Sequence, residues 1–292
     1  MFLRFLPLAA LMGVILSLGI PRTAMAEPPS VLATIRPIHA LVAAVMAGIG
    51  TPDLLVTGGA SPHGMTLKPS DARKVERANL IVRVGPALEG FLGRVLQGGD
   101  ERRVLTLMDA PGIILLDGDP HIWLAPANGR AIAEAVAARL SEMDPARAPL
   151  YQANAKAVKR DLQDLESQLA RLLAPVRTKP FIVFHDAYRY FEHAFGLEKA
   201  GRVYVMAERT PGAGHIQELI RQMRHQDITC LFTEPQFAPK LAFVIAAETG
   251  ARTGVLDPLG ADIKPGPGLY AQLMKRNAKT LITCLKPQQA DG

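Results

Sequence analysis

Residues 146–176 read ARAPLYQANAKAVKRDLQDLESQLARLLAPV, and they decide the fold. Apolar side chains fall at Val158, Leu162, Leu165, Leu169, Leu172 and Val176, a 4,3,4,3,4 spacing with Lys159, Arg160, Asp164, Glu166 and Arg171 between them. That is the stripe of an amphipathic helix. At 1.5 Å per residue it would be roughly 40 Å long. Pro175 and Pro180 mark where it must end. Because it lies between two blocks of similar size, it reads as a rigid connector between two lobes, with the seam of a coiled-coil dimer as the alternative.

On either side, short β-branched or apolar runs alternate with segments of helical period. The runs are Val31–Ile35, Leu54–Thr57, Leu80–Val84 and Val104–Leu107 before the long helix, and Phe181–Phe184, Val203–Val205, Cys230–Phe232 and Gly254–Leu256 after it. Helical candidates such as Ile38–Ala47, Pro69–Arg77 and Ile216–His225 lie between them. Strand and helix in alternation predict parallel sheets covered on both faces. The expected architecture is thus α/β: two lobes, each with a roughly four-stranded parallel sheet flanked by helices, joined by one long rigid helix. The corresponding division is an N-terminal lobe over 27–143, a connecting helix over 144–176 and a C-terminal lobe over 177–292.

Composition supports an ordinary globular chain: 292 residues, 49% apolar and 21% charged. Disorder and fibrous structure are excluded. Residues 1–26 carry Arg4, an apolar run from Phe5 to Ile20 and the small-x-small ending Ala24-Met25-Ala26. They read as a cleavable signal peptide ending before Glu27, with an uncleaved anchor as the alternative. Removing Arg4 and Arg22 lowers the formal charge from +6 to +4. With basic residues scattered among acids and aromatics at 5%, nucleic acid is not an expected partner. The expected location is a Gram-negative periplasm, without a lipid anchor because no cysteine lies near the cleavage site. In that compartment the only two cysteines, Cys230 and Cys284, are expected to pair; free thiols or metal ligation are the alternatives.

Four chemically competent side chains fall at expected strand ends, where open α/β sheets place ligands. His63 follows the second run across Gly58-Gly59-Ala60-Ser61-Pro62, His185 follows Phe181–Phe184, Glu234 follows Cys230–Thr233, and Asp257 follows Gly254–Leu256. His121 sits in Asp119-Pro120-His121-Ile122-Trp123-Leu124, a loop before a helix. Three imidazoles and one carboxylate would supply the four N and O donors of a tetrahedral Zn²⁺. Singly, each is more simply a surface or hydrogen-bonded residue. His193, His215 and His225 read as structural, and His39, near a strand end, is an outside candidate.

In these residues the chain resembles the ZnuA-type family, the periplasmic zinc-binding components of ABC importers. The matching stretches are Gly59-Ala60-Ser61-Pro62-His63 with Leu67-Lys68-Pro69-Ser70-Asp71, Pro120-His121-Ile122-Trp123-Leu124, Phe184-His185-Asp186-Ala187-Tyr188, Thr233-Glu234-Pro235-Gln236-Phe237 and Leu256-Asp257-Pro258-Leu259-Gly260. The resemblance implies a high-affinity Zn²⁺ receptor that binds one ion between its lobes and delivers it to a membrane permease served by a cytoplasmic ATPase. It carries His63, His121 and His185 over as ligands, with Asp257 at the fourth position, and matches the cysteine pair. Asp186 and Glu234 are nominated to orient the imidazoles. The protein is expected to be a monomer and not an enzyme.

Two departures stand out. The long His- and Asp-rich insertion of many members is reduced here to Leu115-Leu116-Asp117-Gly118-Asp119, and residue 62 is Pro where some members carry Glu. A manganese receptor of the same cluster is the nearest alternative, although His185 at the third position favours zinc. A secreted zinc hydrolase is the more distant one, without a His-Glu-x-x-His helix or a Gly-x-Ser-x-Gly elbow.

Overall fold

The computed structural model describes residues 26–57, 59, 61–204 and 211–286. The proposed signal peptide lies, but for Ala26, outside the described residues, as does Val205 at the end of one expected strand. Among the described residues no helix is long and apolar enough to cross a membrane.

The first half runs β1 (Val31–Ala33), α1 (Arg36–Val45), β2 (Asp53–Leu54), α2 (Pro69–Arg77), β3 (Leu80–Arg83), α3 (Gly93–Leu96), β4 (Val104–Thr106) and α4 (Pro126–Met143). The long helix α5 (Ala148–Leu173) follows. The second half runs β5 (Phe181–His185), α6 (Arg189–Phe195), β6 (Lys199–Tyr204), α7 (Ala213–His225), β7 (Cys230–Thr233), α8 (Lys240–Thr249), β8 (Arg252–Val255) and α9 (Leu269–Leu285). Two four-stranded sheets result, in the orders β2-β1-β3-β4 and β6-β5-β7-β8, and every pairing is parallel. In each sheet the order reverses between the first strand of the half and the third, which opens a crevice at their carboxyl ends.

The N-terminal crevice is plugged. Glu89, fully buried, accepts from Thr34 Oγ1 at 2.6 Å and from the amides of Val84 and Gly85 at 3.0 and 2.8 Å. The C-terminal crevice is lined instead by His185 and Glu234, one at the end of β5 and the other just past β7.

Helix α5 corrects the expected stripe at one point. Leu162, Leu165, Leu169 and Leu173 are buried, whereas Leu172 is 54% exposed. The sequence spacing suits 3.5 residues per turn, but a straight helix has 3.6 and drifts about 20° per heptad. By the last turn Leu173 has rotated into the core in place of Leu172. Each of the four buried leucines contributes about 1.5–3 kcal/mol. Their partners are α1, α4 and α9 of the same chain, so the stripe is used internally and not as a dimer seam.

The last helix crosses back. α9 packs on α1 and α5, and Tyr270 Oη donates to the Trp123 carbonyl at 2.7 Å. One apolar core consequently runs from Val31 through α5 to Leu285. Cys230, opening β7, is bonded to Cys284 near the end of α9, with Cα atoms 6.0 Å apart. The edge strand β6 begins at Lys199, paired with Phe181 of β5, ahead of the expected run at Val203; its first residues are polar or small and half-buried and so carry no apolar signal.

Candidate metal centre

His185 ends β5 and its ring is buried. Glu234 Oε2 lies 3.4 Å from His185 Nδ1, so that the other ring nitrogen is left to face the cleft. His121 is held more tightly. Asp119 Oδ1 accepts from the His121 amide at 2.9 Å and from His121 Nδ1 at 2.7 Å. A neutral ring that donates from Nδ1 presents a lone pair at Nε2. His63, half-buried, comes from the loop between β2 and α2, and its amide donates to Ser61 Oγ at 3.3 Å.

The three rings converge. His63 Nε2 and His121 Nε2 are 3.2 Å apart. Ring centroids are separated by 5.2 Å (His63 and His121), 5.4 Å (His63 and His185) and 5.0 Å (His121 and His185). One donor atom from each histidine lies within 4.8 Å of the other two. Zn–N bonds of about 2.0–2.1 Å at tetrahedral angles require nitrogens about 3.3 Å apart, close to the shortest pair. Between the rings is a cavity of about 10 Å³, bounded also by Pro62, Trp123, Phe237, Pro258 and Leu259. It has room for a single ion or water.

Electrostatics favour the ligating form. Burial, and then the neighbouring His121 and His185 rings, hold His63 down to about 3. Burial also lowers His121, against the opposing pull of Asp119. Both rings are therefore neutral at ordinary pH. Burial raises the Glu234 carboxyl, with His185 pulling it back.

The remaining expected residues divide. Asp257 is buried but lies outside the donor group. Its Oδ1 accepts from the Leu259 amide at 2.9 Å and Gln236 Nε2 at 3.0 Å, and its Oδ2 from the Ala261 amide at 2.6 Å. β8 is an edge strand separated from β5 by β7, so its end is set back from His185. Asp186 does not touch an imidazole; it is ion-paired with Lys199 and, at 2.9 Å, with Arg202. His39 is turned away, its Nε2 3.0 Å from the Pro52 carbonyl, and His215 Nε2 sits against the carbonyls of Arg202 and Val203. A larger cavity of about 640 Å³ lies in the first half among α3, β4 and α4 and contains none of these residues.

Two contributors escaped the sequence reading. Asp119 was the available signal, an Asp two residues before a His in a turn. Trp123 was quoted only as part of a motif, yet its Nε1 donates across the cleft to the Pro258 carbonyl at 2.7 Å and its ring lies 5.3 Å from that of His121.

The chain is similar to known proteins over most of its length. The high-affinity zinc uptake system protein ZnuA of Brucella abortus (strain 2308) is 39% identical, with 89% of this chain and 92% of that protein covered. That of Yersinia pestis is 31% identical over 88% of this chain and 91% of its own length. A crystal structure of a ZnuA deletion mutant with zinc bound superposes with a TM-score of 0.78 at 26% identity, covering 90% of this chain and 100% of that one. Residues 31–284 match the family described as zinc-uptake complex component A, periplasmic. With residues 31–284 matched and a relative 39% identical over 89% of the chain, the chain belongs to the ZnuA family.

Proposed function

We propose that the protein is the periplasmic zinc receptor of an ABC importer and that His63, His121 and His185 are its zinc ligands. The observation that carries the assignment is the convergence of three imidazoles, two on loops of the first half and one ending β5, around an ion-sized cavity. Imidazole suits Zn²⁺, whereas Mn²⁺ prefers oxygen donors, which supports zinc over the manganese alternative. In this reading the fourth position belongs to water and not to Asp257, whose oxygens are engaged by two amides and Gln236. Asp119 and Glu234 orient the rings, as partners of metal-bound histidines generally do.

The family is one of solute-binding receptors, and the receptor reading is adopted over the hydrolase. Residues 1–26 would direct export and be cleaved before Glu27, leaving a monomer with lobes over 27–143 and 177–292 about the helix region 144–176. Delivery to the permease requires His185 to part from the other two rings. The continuous core and the bridging α9 argue for a small displacement in place of a wide hinge opening. X-ray absorption at the zinc edge of the loaded protein tests the ligand set: three imidazoles and one light oxygen donor are expected. A spectrum fitted by two imidazoles, or by sulfur, would overturn it.

A further inference from the structure

The loop that replaces the family's long insertion is strapped to the opposite lobe. Leu116, Asp117, Gly118 and Asp119 form a tight turn closed by the Asp119 amide on the Leu116 carbonyl at 2.9 Å. Both central residues, Asp117 and Gly118, have positive φ, 43° and 72°, the signature of a type I′ turn. Tyr190 of α6, five residues beyond His185 and 1% exposed, reaches across to this turn. Its Oη accepts from the Leu116 amide and donates to the Asp119 carbonyl, each at 3.0 Å. The same Asp119 grips His121 through two hydrogen bonds.

We propose that Tyr190 is a positioning residue for zinc capture, acting through Asp119 to fix the tautomer and aim of His121. The inference rests on the reading of His121 as a ligand. Its physical content is a relay: Tyr190 holds both ends of the turn, the turn places the Asp119 carboxylate, and the carboxylate keeps the proton on Nδ1 so that Nε2 offers its lone pair. The hydroxyl belongs to the half that carries His185, while the turn belongs to the half that carries His121. The quality of one ligand is thereby tied to the lobe that supplies another. A displacement that withdraws α6 from the turn weakens His121 as it withdraws His185.

The test compares the mature wild type with Tyr190→Phe, which keeps the ring and removes the hydroxyl. Ring-nitrogen NMR of the metal-free, ¹⁵N-histidine-labelled proteins reads the tautomer, and chelator competition reads zinc affinity. His121 is expected as the Nδ1–H tautomer in the wild type and as a tautomer mixture in Tyr190→Phe, with zinc affinity about tenfold weaker, the low end for removal of an outer partner. In an Asp119→Ala background the same substitution should change affinity by less than twofold, since the relay is already cut. An unchanged tautomer with affinity within twofold of wild type overturns the proposal, as do losses that add in full. A wild type that binds no zinc would refute the ligand reading, and the tautomer comparison would still decide the relay. Should Tyr190→Phe not fold, exchange of the Leu116 amide in the wild type decides: slower exchange on zinc binding supports the strap, and unchanged exchange overturns it.

Discussion

His63 Nε2 and His121 Nε2 stand 3.2 Å apart across 58 residues of sequence. Two nitrogen lone pairs at that distance repel unless a proton or a cation lies between them. In the metal-free protein a neutral Nε2–H of one ring can bridge the pair, whereas a further, charged proton is opposed by burial, which holds His63 down to about 3. A divalent ion that binds only the folded arrangement stabilises it, so the folded protein gains stability from zinc. At free zinc a thousandfold above Kd, one site should add about 4 kcal/mol. Thermal melting of the metal-free protein with and without zinc checks this, and His63→Ala should lose most of the gain.

The pH dependence of the metal-free protein follows from the same burial. An unfolded histidine titrates near 6.5 while folded His63 is held at about 3. Between those values the unfolded chain binds more protons, so stability falls as pH drops from about 6.5 towards 3. Glu192, pushed up to about 7 by burial, works in the opposite direction. The comparison is therefore between wild type and His63→Ala. The variant should lose less stability on acidification from pH 7 to pH 4, measured by urea unfolding at each pH.

Helix α5 makes a sharp mutational contrast. Leu169 is fully buried and Leu172, three residues on, is 54% exposed. Leu169→Ala should cost about 2–5 kcal/mol. Leu172→Ala should stay within about 0.5 kcal/mol, as at an ordinary surface position. Equal losses would mean that Leu172 is covered in solution by a second copy.

The Cys230–Cys284 bond closes a sequence separation of 54 residues. On the chain-entropy model its removal costs about 4 kcal/mol. Cys230 begins β7, while Glu234 lies past its other end. The Cys230→Ser, Cys284→Ser double variant should therefore unfold at lower urea yet bind zinc within a few-fold of wild type.

The sequence carried the strand and helix order because parallel strands buried on both faces leave continuous apolar runs, and β5 is the plainest case, with every residue buried. It was less informative where edge position dilutes that signal, as in β6, whose first residues are Lys199, Ala200 and Gly201. The three histidines were legible as residues at strand ends and loops. Their convergence was not, since it depends on how far each loop projects. The same limit explains Asp257. Its place at a strand end was visible, but the turn that engages its oxygens is set by Leu259 and Ala261 amides whose direction no spacing encodes. Asp186 was nominated by adjacency to His185, yet it lies just past the end of β5, where adjacency does not fix direction. It turns to Lys199 and Arg202 instead.

The most direct test of the zinc site is calorimetric titration of the chelator-stripped mature protein with Zn²⁺, alongside His63→Ala, His121→Ala and His185→Ala. The wild type should bind one ion with submicromolar affinity, and each variant should lose at least tenfold. Wild-type affinity retained in all three variants would contradict the account.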